Sequence, residues 1–272
     1  MINYVKRSGK YYLYIVAVLL LFIWGLETPS SILGKADAVG YAFCHRIDVR
    51  SFHIDVRQLP LCARCTGQYV GAMIGLLFQA AVSRKRSGFP PRRVLLLMGI
   101  ICLAYAIDGL NSYLYMPPFL SAFPNLPHLY TPSNALRLLT GTGMGLAIAT
   151  ILYPAFVGSI FAAPDTRPAV WSIKLLLGGI GLGLLADLLI LTGSPVLLYP
   201  AALLSALGVI ILLTFAYTIV ILRIFKRENT YAGLSQISLP LVSGFIVTIA
   251  QIALFDLIRF MLTGTWAGLS FG

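Results

Sequence analysis

The sequence predicts an all-α fold, a polytopic bundle of about seven transmembrane helices with the N-terminus inside and the C-terminus outside. Of its residues, 58% are hydrophobic and only 11% are charged, whereas soluble domains usually contain about 25% charged residues. Apolar segments of about 20 residues, the length that crosses a bilayer, recur along the whole chain. Basic residues are concentrated in every second connection between these segments. Together these observations exclude a soluble globular domain.

Seven segments satisfy the ~20-residue criterion for a membrane span. The first follows Lys6, Arg7 and Lys10, and we interpret it as a retained signal anchor, because the nearest small-residue cleavage pattern, at 36–38, lies too far downstream. All seven are assigned to a single membrane domain that comprises residues 1–272. The predicted spans are 11–29, 66–83, 94–112, 136–157, 171–193, 197–221 and 237–262.

The basic connections predict the orientation of the chain. By the positive-inside rule the side with more Lys and Arg faces the cytoplasm, which favours a multi-pass protein of the cytoplasmic membrane and places the loop 30–65 outside. The net charge of +11 lies mainly in these short runs, so we expect the lipid bilayer as the principal partner and no nucleic acid. The sequence does not define an oligomeric state. The thirteen residues of the basic side are Lys6, Arg7, Lys10, Arg84, Lys85, Arg86, Arg92, Arg93, Arg167, Lys174, Arg223, Lys226 and Arg227.

Glycines at four-residue spacing predict close packing between the spans. In lipid, burying one apolar side chain against another contributes little, so small residues that let backbones approach are favoured at helix contacts. The same pattern is compatible with a glycine-lined substrate path. The residues concerned are Gly67, Gly71, Gly75, Gly141, Gly145, Gly179 and Gly183.

The outer loop 30–65 concentrates the residues that carry chemistry. Cys62 and Cys65 at i and i+3 can point to one centre, and Cys44 with an imidazole completes four ligands for a tetrahedral ion such as zinc. His45 is one candidate for the fourth ligand. Because adjacent residues such as Cys44 and His45 seldom bind one ion, His53 is the other candidate. If three protein ligands leave an open position, His45 or Asp48 could act as an acid or base.

Other interpretations of these cysteines remain open at this point. Thr66 resembles the N-cap of the second span, and a helix N-terminus together with Arg64 stabilises a thiolate at Cys65. That arrangement suits a membrane thiol-disulfide oxidoreductase that uses Cys62 and Cys65. A structural disulfide that fixes the loop is a third interpretation, and a transporter with a cysteine-stapled outer loop is a fourth.

Several charged residues fall inside or near predicted spans, where each needs a partner or a wet cavity. Asp108 and Arg137 lie near the outer ends of their spans, so we expect a polar pocket beneath the cysteine loop, with Asp108 as a further catalytic candidate. Arg137 could hold a phosphate or carboxylate there, or pair with Asp108. Asp256 and Arg259 are three residues apart and are expected to pair. Asp187 has no evident partner.

Five segments between residues 40 and 148 form a specific pattern, and they resemble an uncharacterised family of small prokaryotic membrane proteins, the domain of unknown function 2085. The segments are Cys44-His45-Arg46, Arg50-Ser51-Phe52, LPLCARCTG from Leu59, Asp108-Gly109 and NALRLLTG from Asn134. The resemblance implies that the family-like region, 40–148, contains the outer loop and helices two to four, and that 165–272 is an additional three-helix part.

The resemblance also implies which residues belong to the shared pattern, and it supplies no activity. It favours His45 over His53 as the fourth ligand. The sequence therefore predicts an outer metal site, with zinc as cofactor, over an Asp/Arg pocket that acts on or binds a small anionic or lipid-linked ligand. The shared residues are Cys44, His45, Arg50, Ser51, Cys62, Arg64, Cys65, Asp108, Asn134 and Arg137.

Overall fold

A computed structural model describes residues 2–123, 125, 128–233 and 236–268. Within these residues it contains nine α-helices and two small two-stranded sheets. The helices are α1 (Ile2–Glu27), α2 (Ile32–Phe43), α3 (Ala63–Ser83), α4 (Arg92–Leu114), α5 (Pro117–Ala122), α6 (Asn134–Ile160), α7 (Ile173–Leu191), α8 (Pro195–Ile224) and α9 (Ser238–Thr263). The strands are β1 (His53–Ile54), β2 (Arg57–Gln58), β3 (Arg86–Gly88) and β4 (Asp165–Pro168).

The helices confirm the predicted polytopic membrane fold. Six of them, α3, α4 and α6 to α9, are long and apolar enough to cross a bilayer, and a seventh span results if α1 and α2 are counted together across their 99° bend. Large apolar side chains remain exposed on their outward faces, as expected for helices in contact with lipid. The membrane orientation of the bundle stays a prediction.

The segment 30–65 is not the simple loop that we expected. Its first part is the 12-residue helix α2, which begins after the N-cap Ser31 and buries small residues such as Ala36 and Ala38 against α8 and α9. Lys35 reaches back to the end of α1, where its Nζ donates to the carbonyl oxygen of Thr28 over 2.9 Å. A criterion of about 20 apolar residues overlooks so short a helix.

The centre of the bundle is the pair α3 and α6, whose backbones approach closely. A Cβ atom at Gly67 would collide with the carbonyl of Leu138, and one at Gly141 would collide with the carbonyl of Arg64. Further along the pair, Gly71 meets Thr142. The glycine spacing in the sequence therefore predicted this contact correctly, since only glycine permits such an approach.

The bundle has two chemically different ends. We call the end where α3 begins, with Cys44, Cys62 and Cys65, the cysteine end. The opposite end, where α3 finishes, is the basic end. There β3 pairs in parallel with β4, and these strands and the adjacent turns place several of the predicted basic residues together, namely Arg84, Lys85, Arg86 and Arg167.

Two smaller expectations also change. The proline-rich connection 113–135, whose prolines predict an ordered cap rather than a helix, contains the short helix α5, which begins at Pro117 as proline permits in a first turn. Residues 124, 126 and 127 of this connection lie outside the described residues. The helix α3 starts at Ala63 after the N-cap Cys62, so Thr66 is inside the helix rather than its cap.

Candidate metal centre and polar pocket

The structure brings three of the four cysteines together at the cysteine end. Cys44 follows the last residue of α2, Cys62 is the N-cap of α3, and Cys65 lies in the first turn of α3. Their three Sγ atoms are all within 4.8 Å of one another. All four cysteines are free thiols, and Cys102, on α4, lies among apolar side chains elsewhere. The predicted C-x-x-C pair and the distant Cys44 thus form one group.

The chain between the cysteines is held by buried apolar residues and a short hairpin. Strands β1 and β2 pair antiparallel, and the N–H of Leu59 donates to the carbonyl of Phe52 over 2.9 Å. Leu59 and Leu61 are almost completely buried. The last turn of α2 touches the backbone of Pro60 at Gly40, where a Cβ atom would collide with the Pro60 carbonyl. This contact fixes α2 against the segment that carries Cys62.

Backbone donors point at the sulfur of Cys44. The N–H groups of Arg46 and Cys62 lie 3.4 and 3.3 Å from its Sγ atom. Arg46 has a positive φ of 51°, so the chain turns sharply just after Cys44. Backbone N–H groups directed at sulfur favour the thiolate form that binds metal ions.

The surroundings of the three thiols affect their pKa values differently. Hydrogen bonds from Cys44 and Cys65 hold the pKa of the Cys62 thiol well below its usual value, and the positive charge of Arg64 acts in the same direction. The pKa of Cys44 is raised to about 12 by its hydrogen bond with Cys62 and by burial. Cys62 is therefore the thiol of the group that its neighbours favour most strongly as a thiolate.

Arg259 of α9 positions the segment that carries Cys44. Its guanidinium donates to the backbone carbonyls of Cys44, over 2.6 Å, and of His45, over 3.3 Å, and it stacks on the ring of Tyr41 at 4.0 Å. We expected Arg259 to pair with Asp256, and this was wrong. Asp256 instead accepts a hydrogen bond from Trp24 Nε1 of α1 at 2.9 Å.

The predicted histidine ligands are not part of the sulfur group. Within the described residues, the group of metal-ligating side chains contains only the three cysteines. His45 is exposed next to Cys44, and its role as fourth ligand stays a prediction. His53 Nε2 lies 2.8 Å from Asp48 Oδ1 in an exposed pair. The proposed acid or base roles of His45 and Asp48 likewise stay predictions.

Asp108 is the centre of a group of polar side chains beside the cysteines, which we call the polar pocket. Its carboxylate is 1% exposed and accepts hydrogen bonds from Arg64 Nε at 3.2 Å, Tyr130 Oη at 2.9 Å and Thr140 Oγ1 at 3.3 Å. Arg64 Nη2 also bonds the carboxylate and Ser112 Oγ. Because Arg64 lies between Cys62 and Cys65 in the chain, it joins the pocket directly to the sulfur group.

The expected pair of Asp108 with Arg137 does not form. Arg64 forms the ion pair with the Asp108 carboxylate, whereas Arg137 Nη1 donates to Asn134 Oδ1 at 2.8 Å. Asn134 in turn donates to the carbonyl of Ser51 at 3.3 Å, which ties α6 to the cysteine segment. The predicted pocket residues therefore lie together, but with a different pairing.

Three arginines surround this single carboxylate. Burial and the nearby charge of Arg64 lower the pKa of Arg50, whose Nη2 donates to the carbonyl of Ser112 at 2.6 Å. The charges of Arg50 and Arg64 also act on Arg137. Arg137 is 7% exposed, and its buried Nε has no hydrogen-bond partner among the residues that the structure describes. The pocket thus has an excess of positive charge and an unused buried donor, both of which favour an anion.

Several residues of the site escaped the sequence analysis. Tyr130 donates to Asp108, and burial and this bond raise its pKa to about 12. Asp37 of α2 pairs with Arg46 at 3.0 Å and with Arg57 at 2.7 Å. A tyrosine or an aspartate in a loop gives little signal by itself. An arginine inside a span, such as Arg259, requires a partner, and that partner could have been sought in the cysteine segment.

Asp187, for which we expected no partner, accepts a hydrogen bond from Thr142 of α6 at 2.6 Å. Its second oxygen has no partner within the described residues. It lies buried in the contact between α6 and α7.

The donor set of the cysteine group suits a thiophilic ion. Two sulfurs that bind one tetrahedral zinc ion at about 2.3 Å each are separated by roughly 3.8 Å, and the three sulfurs here already lie within 4.8 Å. Cysteine thiolates select zinc, copper(I) and iron over magnesium or calcium. The three cysteines are therefore close enough to one another to hold a metal ion.

Comparison with known proteins matches the part of the chain that contains the site. A family model described as "Predicted membrane protein (DUF2085)" matches residues 44–151, which include all three clustered cysteines and the polar pocket but not α7 to α9. An uncharacterised protein of Methanocaldococcus jannaschii is 26% identical over 165 residues, covering 56% of this chain and 96% of the relative. One of Methanothermobacter thermautotrophicus is 30% identical over 109 residues, covering 39% and 83%. No solved structure matches significantly.

Proposed function

Since this chain belongs to the membrane protein family DUF2085, we propose that it is a metal-binding protein of the cytoplasmic membrane whose Cys44, Cys62 and Cys65 hold a zinc ion at the outer face. The ion would lie beside a pocket that binds a small anionic or lipid-linked ligand. The observation that carries the proposal is the convergence of three sulfurs from two helix ends within 4.8 Å. Metal-binding sites are built in this way from separate elements that folding brings together.

The local contacts support a preorganised metal site. Arg259 holds the carbonyls around Cys44, and Gly40 lets α2 pack on the segment before Cys62, so the sulfurs do not depend on a mobile loop for their position. Bound zinc would supply positive charge to the thiolates and a Lewis-acidic centre. The fourth position belongs either to His45, the imidazole next to Cys44 in the chain, or to a molecule from outside.

The adjoining pocket supports an anionic ligand. Arg50, Arg64 and Arg137 outnumber the single carboxylate of Asp108, and the unpaired Nε of Arg137 offers a hydrogen bond to an acceptor. Guanidinium groups suit phosphate and carboxylate oxygens because their donors form a planar fork. The ligand class is therefore a phosphate or carboxylate group, carried by a small molecule or a lipid.

The decisive experiment is elemental analysis of protein purified without a polyhistidine tag, a metal column or chelator. We expect about one zinc ion per chain, lost in Cys62→Ser and in Cys65→Ser. Cys102→Ser is the matched control, since it removes a thiol of α4 outside the group and should keep its metal. A wild-type protein without stoichiometric metal, which folds equally well after chelation, would falsify the proposal.

Two further variants separate the alternatives. If His45 occupies the fourth position, His45→Ala should weaken zinc binding by more than the roughly 10- to 100-fold typical of residues that only support a ligand, whereas His53→Ala should not. A thiol-disulfide oxidoreductase would instead contain no metal and would show Cys62 and Cys65 partly oxidised when thiols are trapped in intact cells. A constantly complete Cys62–Cys65 bond would indicate a structural disulfide.

A further inference from the structure

A large cavity lies at the basic end, away from the cysteine group. It has a volume of about 930 Å³ and opens between the last turns of α3, the end of α6 and the middle of α8. The helix α3 has 21 residues and is therefore about 31 Å long, so its two ends lie close to the two faces of a bilayer core. The volume falls within the range of small-molecule sites, about 300–1,000 Å³.

The walls of the cavity are apolar. Phe156 of α6 and Phe215 of α8 stack with ring centroids 3.9 Å apart, and Met73, Leu76 and Ile211 contribute further apolar surface. Ala80, an exposed residue of α3, adds a small side chain to the lining. Apolar cavities of this kind exclude water and accept hydrocarbon. An acyl chain is the hydrocarbon that a membrane supplies.

The mouth of the cavity is basic. Arg84, Lys85, Arg86 and Arg167 line it, with Asp165 as the acidic residue among the lining side chains. Asp165 is already engaged, because it pairs with Arg167 at 2.7 Å and lies 3.8 Å from Arg86. No described carboxylate pairs with Arg84 or Lys85, whose side chains are exposed, and Lys85 Nζ lies 4.9 Å from the ring centroid of Phe161. An excess of positive charge therefore lies directly beside the apolar walls.

We propose that this cavity is a binding site for an anionic phospholipid, with an acyl chain between α3, α6 and α8 and the phosphate at Arg84 and Lys85. The two features fit the two parts of such a lipid in the order in which a bilayer presents them, hydrocarbon inside and phosphate at the surface. Basic pockets between transmembrane helices recognise anionic headgroups in this way. The proposal is independent of the metal site, which lies at the opposite end of α3.

Lipid exchange in detergent provides the test. Purified, delipidated protein is mixed with equal amounts of dioleoyl phosphatidylglycerol and dioleoyl phosphatidylcholine, and bound lipid is counted by native mass spectrometry. We expect the wild-type chain to retain phosphatidylglycerol preferentially. Each basic residue near a headgroup contributes a factor of about five, so Arg84→Gln combined with Lys85→Gln should reduce the preference about 25-fold.

Two more variants make the outcome specific. Arg93→Gln removes an exposed charge at the start of α4 that does not line the cavity, and it should leave the preference unchanged. Ala80→Phe fills the cavity from an exposed position and should reduce the retention of either lipid. Equal retention of both lipids by the wild type, or an unchanged preference after neutralising Arg84 and Lys85, would overturn the proposal. Retention that survives Ala80→Phe would exclude this cavity as the site.

Discussion

The cysteine end and the basic end of this bundle handle charge in opposite ways. At the cysteine end Asp108 is 1% exposed, Arg46 and Arg137 are each 7% exposed, and specific side-chain partners hold all three. At the basic end Arg167 is 71% exposed, and Arg84 and Lys85 extend from the surface. The cysteine end thus contains a buried network of paired ionic groups, whereas the basic end exposes most of its charges around an apolar cavity.

This difference indicates two kinds of recognition. Charges taken out of water are tolerated only when hydrogen bonds fix them, so the cysteine end presents donors and sulfurs in a defined geometry. That geometry suits an ion and an anion of particular shape. Exposed arginines and lysines keep many rotamers and act mainly through their charge, which suits a class of ligand such as lipid headgroups. The pair α3 and α6 connects both ends.

The largest effect that would test this contrast is the loss of Asp108. In Asp108→Ala the charges of Arg50, Arg64 and Arg137 lose their carboxylate while remaining partly buried, and removing one partner of a buried ion pair typically costs about 3–5 kcal/mol. Asp165→Ala is the matched change at the basic end, where the carboxylate also faces two arginines but in solvent. We expect no measurable loss there. Unfolding by denaturant in a constant detergent provides the comparison.

A double variant shows whether the loss comes from uncompensated charge. Asp108→Ala combined with Arg64→Ala removes both members of the pair, and we expect it to recover part of the stability lost by Asp108→Ala alone. Equal losses for the two aspartates, or strictly additive losses for the two members of the pair, would contradict the distinction between a buried network and an exposed one.

A smaller effect tests whether α3 and α6 form the rigid connection between the ends. Gly67→Ala places a methyl group against the carbonyl of Leu138, and overpacking of this kind costs about 1–3 kcal/mol. Gly99→Ala is the control, because a Cβ atom at that helical glycine of α4 meets nothing within 4 Å. Alanine favours helix over glycine by about 1 kcal/mol, so the control should be neutral or slightly stabilised. Similar changes in the free energy of unfolding for both variants would show that the α3–α6 contact adjusts to the added methyl group and is not rigid.

The sequence was sufficient to predict the long apolar spans and the segment in which the cysteines lie. The predicted span 66–83 became Ala63–Ser83, because apolar length is a property of local sequence that a bilayer requires. The grouping of Cys44 with Cys62 and Cys65 was also predictable, since metal binding, redox chemistry and a disulfide all require cysteines of one segment to lie close together. The glycine contact of Gly67 followed from spacing alone.

The pairings inside the site were not predictable in the same way. Asp108 binds Arg64 rather than Arg137 because the rotation of α3 about its axis directs the Arg64 side chain toward α4, and no local pattern records that rotation. The role of Arg259 depends on a contact with His45, 214 residues away in sequence. The helix α2 was missed because it is only 12 residues long, which is shorter than the apolar segment that the criterion for a span requires.

The smallest effect separates the two ends by their response to a single anion. Inorganic phosphate should stabilise the wild-type chain through the pocket that contains the unpaired Arg137 Nε, and a ligand at ten times its Kd stabilises by about 1.4 kcal/mol. Arg137→Gln should lose this gain, measured against its own baseline without phosphate. Glutamine keeps an amide group that can donate to Asn134, so we expect this variant to fold.

The same titration in Arg84→Gln with Lys85→Gln gives the opposite expectation. That variant changes only exposed charges at the basic end, so its stabilisation by phosphate should equal that of the wild type.

Salt should distinguish the ends as well, because mobile ions screen exposed charges strongly and buried ones weakly. Raising sodium chloride should therefore weaken the preference for phosphatidylglycerol at the basic end more than the protection by phosphate at the cysteine end. If both decline together, phosphate is binding to exposed charge, and the pocket around Arg137 is not its site.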